Sequence, residues 1–382
     1  MSNKNVIDRI QNRNSSIELL RIISMILIVF HHFAFHGGFK WQTNSVTISH
    51  FWYNFIYGGG KIGVNIFVLI SGYFLIDRKT SVFSYIRRIL KFWGQVFFYS
   101  FVIFFISVIV DMKNFGMQSL IKMCFPITFS SWWFASTYFV LLLIHPFLNE
   151  FLNNLKKESY QKLLILLIVC WSIIPTFINS EYQGNSFLWF VTLYAIAGYE
   201  KKYKFRIEFT SKHYFKLCFL FSLLTYLCGV IFIVIGKKWN IFATHETYLY
   251  GQEKLPILLV SLTLFLAFTR WKMNYHKWIN ITASATFGVY LIHDNKIVRS
   301  FLWMSLFKNY RYQDSIMIIP YSIGVVAIVY IICTMVDLVR KNLFEKSYMR
   351  IIDKYSVSWL KIFRCKFCSN GTPILKLAVH PF

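Results

Sequence analysis

Ten runs of apolar residues, each near the length of a membrane crossing, set the pattern of this chain; short charged or aromatic stretches separate them. They fall at 17–36, 61–76, 89–110, 132–151, 163–179, 187–200, 214–236, 255–270, 281–300 and 315–339. About 20 apolar residues wound as a helix span the roughly 30 Å of a bilayer's hydrocarbon core. Within that core only a helix or a closed barrel satisfies its own backbone polar groups. The pattern therefore predicts an all-α integral membrane protein, a polytopic bundle of about ten transmembrane helices. The second, sixth and eighth runs are short, and the ninth carries Arg299 near its end. No repeat period emerges. Residues 1–16 read as a polar tail, 17–339 as one transmembrane domain, and 340–382 as a basic tail on the membrane surface, where Arg340, Lys341, Arg350, Lys354, Trp359, Lys361 and Arg364 alternate with apolar residues. With no small-residue cleavage site after a short apolar core, the first run reads as a retained anchor.

Composition excludes the soluble alternatives. Hydrophobic residues make up 56% of the chain and charged ones only 15%, far from an ordinary globular domain. Orientation follows from the basic residues, because short loops rich in Lys and Arg stay cytoplasmic. With the N-terminus inside, the cytoplasmic segments hold 29 of them and the opposite segments 11, Arg21 lying within the first run. Both termini are expected to be cytoplasmic, as an even number of crossings requires. The formal net charge of +25 is spread over many short loops, which fits attraction to anionic lipid headgroups rather than a nucleic-acid face. No nucleic acid is expected as a partner; the lipid bilayer is. Aromatic residues at 20% exceed what interfacial belts need, so some must line the interior. Of the cysteines, only Cys365 and Cys368 are spaced like a motif. A lone C-x-x-C lacks the four ligands of a structural zinc site, and no metal is predicted.

Candidate chemistry concentrates in the first run, where Glu18, Arg21, His31, His32 and His36 sit among apolar residues. An ionisable side chain in hydrocarbon costs at least ~2.5–3.5 kcal/mol on insertion scales and marks function by default. Eleven residues separate Arg21 from His32, about three helical turns, so they share a face roughly 16 Å apart. They cannot pair, which suits two holds on one long ligand. His32 can take and release a proton near neutral pH as a general base. His31 points about 100° away and reads as a packing or supporting residue. The planar fork of Arg21 suits phosphate or carboxylate, while an i, i+3 pair with Glu18 is its structural alternative.

A second constellation runs Gly58-Gly-Gly-Lys61-Ile-Gly63-Val-Asn65-Ile-Phe67-Val-Leu-Ile-Ser71-Gly72-Tyr73-Phe74. Small residues let helices approach closely, so Ser71 and Gly72 can serve as a packing notch. The chain has no G-x-x-x-x-G-K-[ST], and nucleotide-triphosphate hydrolysis finds no support. After the second run come Arg78, Lys79, Arg87, Arg88 and Lys91, a cluster that topogenic charge partly explains.

These residues carry a resemblance. Arg21-x10-His32, then Phe67-Val-Leu-Ile-Ser71-Gly72-Tyr73-Phe74, then the basic run 87–91, together resemble the membrane acyltransferase-3 family. Trp132-Trp133-Phe134, Pro146-Phe-Leu148-Asn149 and Thr286-Phe-Gly288-Val-Tyr290-Leu-Ile-His293 are similar to family segments as well. The resemblance implies an enzyme of the bacterial plasma membrane that moves an acetyl group from cytosolic acetyl-CoA to a hydroxyl of a surface polysaccharide or lipid-linked sugar. It makes His32 the catalytic base, Arg21 its companion in the R-x10-H pattern, and Glu18 a supporting member of the catalytic set. Arg87, Arg88 and Lys91, with Ser71 and Gly72, become candidates for holding acyl-CoA. The family's R-x-x-R appears here as Arg88-Ile-Leu-Lys91, and lysine is a point charge rather than a fork. His293 is either part of the site or a helix-terminus residue. Transport of an anionic or glycan substrate is the rival reading, since an Arg and a His on one stripe also suit a carrier or flippase.

Overall fold

The structure, a computed structural model, describes residues 14–41, 46–77, 81–110, 116–178, 186–205 and 209–355. Arg78, Lys79, Trp359, Lys361, Arg364, Cys365, Cys368 and most of the polar tail lie outside the described residues. Every regular element among the described residues is helical. In chain order the helices are α1 Ser15–Phe35, α2 Ile48–Leu75, α3 Val82–Val110, α4 Met117–Cys124, α5 Trp133–Asn154, α6 Lys157–Phe177, α7 Ser186–Tyr203, α8 Ser211–Gly236, α9 Leu255–Arg270, α10 Lys277–Ala283, α11 Thr286–His293, α12 Lys296–Ser300 and α13 Ile318–Arg340.

Eight helical stretches among the described residues are long and apolar enough to cross a membrane: α1, α2, α3, α5, α6, α8, Asn240–Arg270 with α9 at its end, and Ile318–Tyr355 with α13 at its start. The sixth predicted run folds as α7 but is not one of the eight. The ninth, 281–300, divides between α10, α11 and α12, because the chain turns at Ser284 and again at Asp294, and the Asn295 side chain accepts from the Ile297 N–H at 3.0 Å to start a new helix. The second run begins earlier than the hydropathy pattern indicates. Thr47 caps α2 by accepting from the His50 N–H at 3.1 Å, and Gly58, Gly59 and Gly60 lie inside the helix, not in a loop.

The described residues form two compact units. The first comprises residues up to Ile76 together with Phe151–Thr334. Here α1 lies against α2 with almost no side chain between the backbones. A Cβ on Gly63 would stand 2.4 Å from the Ser24 carbonyl oxygen, and one on Gly60 2.3 Å from the His31 ring. Without a hydrophobic drive between helices in lipid, such close packing is what holds them. Further along α2, Gly72 abuts the Tyr194 backbone of α7, its absent Cβ falling 2.9 Å from that carbonyl oxygen. Asn65 is fully buried and satisfied on both ends: it donates to the Gln252 carbonyl at 2.8 Å and accepts from the Trp189 indole at 2.9 Å. By contrast α8 turns Phe219, Leu220, Leu223, Leu224, Leu227 and Ile231 outward, a surface that suits lipid rather than water.

The second unit comprises Asp77–Glu150 and the chain from Met335 onward. Its centre is a buried ion network. Arg340 Nε donates to Asp337 Oδ1 and NH2 to Glu345 Oε2, each at 2.8 Å, and the Arg340 and Asp337 side chains are 1% and 0% exposed. From α3, Gln95 and Tyr99 donate to the same Asp337 oxygen at 3.1 and 2.8 Å, and Lys91 reaches Glu345 at 2.7 Å. The chain after α13 passes through a π turn at Lys341–Glu345 and stays helical to Tyr355. The described part of the basic tail thus continues the last helix and packs on α3.

Two sets of variants test this packing by thermal unfolding in detergent. Gly63→Ala must push α1 off α2 and is expected to destabilise by about 1–3 kcal/mol, whereas Gly324→Ala, whose Cβ meets nothing within 4 Å, is expected to be neutral or to gain up to about 1 kcal/mol. Arg340→Ala strands the buried Asp337 and is expected to cost about 3–5 kcal/mol. A Gly63→Ala protein as stable as the parent would refute the close approach.

Candidate active site

Two elements of the first unit meet at the site. The register of α1 sets His32 and His36 one turn apart on one face, and α11 ends at His293, so that Asp294 falls in the turn before α12. His32 Nδ1 lies 2.8 Å from His293 Nε2. His293 Nδ1 in turn lies 2.6 Å from the Val289 carbonyl oxygen, one turn back in α11. A carbonyl only accepts, so His293 Nδ1 carries a proton and donates it. The neutral ring then offers Nε2 as an acceptor, and His32 Nδ1 must be its donor. By this chain the neutral His32 keeps its lone pair on Nε2. His32 is 9% exposed and His293 fully buried.

His32 Nε2 faces Asp294. Its distance to Asp294 Oδ1 is 3.7 Å, His36 Nε2 is equally 3.7 Å from that oxygen, and Arg299 NH1 is 3.3 Å away. The buried Asp294 carboxylate is thus flanked by two imidazoles and a guanidinium, of which Arg299 donates a hydrogen bond to it. The site therefore presents a fixed anion next to a basic nitrogen. A proton arriving on His32 Nε2 forms an imidazolium facing that anion.

The other predicted residues fall around this cluster or elsewhere. His31 turns toward α2, where its Nδ1 donates to the Tyr57 carbonyl at 2.6 Å and its ring lies against Gly60. Arg21 NH1 bonds both oxygens of Glu18 at 3.2 Å, with the arginine half-buried and the carboxylate mostly so; three turns along α1, the pair stands roughly 16 Å from His32. Ser71 Oγ donates to the Phe67 carbonyl at 2.8 Å, and Gly72 is filled on its open side by α7.

In the second unit each basic residue of α3 has a partner. Arg87 forks onto Asp353 at 2.7 and 3.2 Å, and Lys91 holds Glu345. Arg88 donates to His145 Nε2 at 3.2 Å. Pro146 has no N–H to offer the Leu142 carbonyl one turn back, and His145 Nδ1 donates there instead at 2.7 Å. That donation fixes Nε2 as the acceptor for Arg88.

Asp294 is the site residue that sequence reading passed over. The rule that singled out helix 1, an ionisable group inside an apolar run, applies equally to Asp294 within 281–300. The flanking His293 and Arg299 drew the attention instead.

A family model described as an acyltransferase domain matches residues 14–336. No curated protein and no solved structure matches the chain.

The hydrogen-bond chain from Val289 to His32 makes a spectroscopic prediction. Nitrogen-15 NMR of histidine-labelled protein should show His32 and His293 both as Nδ1–H tautomers, with His293→Leu loosening that preference at His32. An Nε2–H signal from His32 in the parent protein would break the assignment.

Proposed function

The chain belongs to the acyltransferase-3 family, and on that premise we propose that it is a membrane O-acetyltransferase, moving an acetyl group from cytosolic acetyl-CoA to a hydroxyl of a surface polysaccharide or lipid-linked glycan precursor. Membership makes it an acyltransferase of groups other than amino-acyl groups, and its apolar helices make it a multi-pass membrane protein. The observation that carries the finer reading is the free Nε2 of His32, set by His293 and faced by Asp294.

In this mechanism the acceptor hydroxyl gives its proton to His32 Nε2 as its oxygen bonds the thioester carbonyl carbon. Asp294 steadies the imidazolium, and His293 keeps the ring oriented through Nδ1. When the carbon–sulfur bond breaks, the proton passes from His32 to the leaving CoA sulfur, and the histidine returns to its neutral form. General-base help of this kind is worth about 10²–10⁴-fold, and the step needs no metal. Arg21, braced by Glu18, is the proposed hold on the anionic donor. Arg87, Arg88 and Lys91 are proposed to meet the CoA phosphates, which would displace the carboxylates of Asp353 and Glu345 from two of them. Ser71 and Gly72 complete the proposed donor set. We propose a bacterial plasma membrane, ten crossings and both termini cytoplasmic; the 29 against 11 distribution of basic residues supports the side of the termini.

His32→Ala is expected to stay in the membrane and lose at least about 10²-fold of acetyl-CoA turnover; Asp294→Asn should fall between it and the parent. Surface glycans from cells carrying the parent gene should be heavier by one acetyl group per modified sugar than those from cells with His32→Ala. Acetylation that survives in His32→Ala, or substrate flux into vesicles with no acetyl transfer, would overturn the assignment.

A further inference from the structure

The geometry points to a second property of the same cluster: we propose that His32, His36 and Asp294 bind a zinc-class divalent cation, and that the bound ion stops transfer by occupying the His32 Nε2 lone pair. The inhibition rests on the reading of His32 as the base; the binding does not.

The three ligand atoms lie within 4.8 Å of one another, and each imidazole Nε2 is 3.7 Å from Asp294 Oδ1. Tetrahedral zinc with bonds of ~2.0–2.1 Å sets its ligand atoms about 3.4 Å apart. Rotations of the side chains by a few tenths of an ångström close the histidine–aspartate edges. His32 in the last turn of α1 and His36 at its C-cap keep the four-residue spacing with which helical zinc sites supply two ligands, and here the third comes from across the α1–α11 contact. Three protein ligands leave a coordination position for water. His36, with 18% of its side chain exposed, gives the ion a way in.

A second, independent feature is the shell behind the ligands. A metal needs a neutral imidazole with its lone pair inward, and metal-bound histidines almost always donate their other N–H to a fixed acceptor. His32 already does so, through His293 to the Val289 carbonyl. Imidazole and carboxylate together suit zinc, cobalt and their neighbours, whereas Mg²⁺ and Ca²⁺ prefer all-oxygen sites. Arg299, its NH1 3.3 Å from Asp294 Oδ1, opposes a cation there, and Lys61 of α2 is also within electrostatic reach of Asp294. The histidine and arginine distances are all to the same Oδ1, so the ion and the guanidinium share that oxygen's two lone pairs, or the guanidinium shifts to Oδ2 when the ion binds. Arg299 is thus a built-in competitor whose removal should tighten binding.

The test uses purified full-length protein stripped with EDTA. Zn²⁺ should bind at one site per chain by calorimetry, Co²⁺ should give the visible absorption of a tetrahedral complex, and Mg²⁺ should give neither. His36→Gln should weaken Zn²⁺ at least tenfold and raise by the same factor the zinc concentration that halves transfer, each protein being measured against its own metal-free rate. Arg299→Gln should tighten Zn²⁺ severalfold. Equal zinc affinity in the parent and His36→Gln, or no saturable binding to the parent, overturns the proposal while leaving the transferase reading untouched. Zinc binding that depends on His36 in a protein without acetyl transfer sustains the site and sinks the transferase reading instead.

Discussion

An ionisable group carried into apolar surroundings must find its partner within the protein, and that constraint arranges much of this molecule. An exposed ion pair is worth little, but a buried charge left alone costs several kcal/mol. Glu200 near the end of α7 is therefore tied to Arg270 at the end of α9 at 2.7 Å. Arg340 is clamped between Asp337 and Glu345 in the second unit, and Asp294 gathers His32, His36 and Arg299 around one oxygen. The pairs at helix ends hold the frame. The Asp294 cluster differs in kind, because only Arg299 donates a hydrogen bond to it, at 3.3 Å, while the two histidines stand off at 3.7 Å, which leaves the His32 nitrogen to a reacting group.

The close approach of α1 to α2 is the second requirement, and it is tied to the first. His31 fits only because Gly60 has no side chain, and the Ser24 turn fits only because of Gly63. With His31 seated on α2, the 100° step of the helix turns His32 away from α2 toward α11. A side chain at Gly63 would press on the Ser24 carbonyl, and one at Gly60 on the His31 ring, both on the face of α1 behind His32. The Gly-rich stretch thus serves the site from behind, as helix packing.

Several features were legible before any coordinates. The runs 17–36, 132–151, 187–200, 214–236, 255–270 and 315–339 each match a helix to within three residues at both ends, since a helix that meets lipid must be apolar over most of its length. The start of α2 was not legible, because Asn54, three glycines and five aromatic residues between Phe51 and Gly60 lower the local hydropathy; the packing of Gly59 and Gly60 on α1 and of Gly58 on Tyr250 is what favours helix there. The division of 281–300 was not legible either, because it depends on the Asn295 side chain capping the Ile297 N–H to start a new helix; the turn so formed sets the Asp294 carboxylate beside His32. His145 gave no sign of its place under Arg88, which depends on a carbonyl that Pro146 leaves unpaired.

By itself the sequence determined the class of protein, its family resemblance and the placing of Arg21 and His32 on one face, because composition, hydropathy period and helical spacing are local properties. Tertiary structure alone decided which nitrogen of His32 is basic, which acid faces it and which cations oppose a metal there. Those properties depend on contacts across some 260 positions of chain, from residue 32 to 293, and no spacing along a sequence encodes which carbonyl a distant ring will meet.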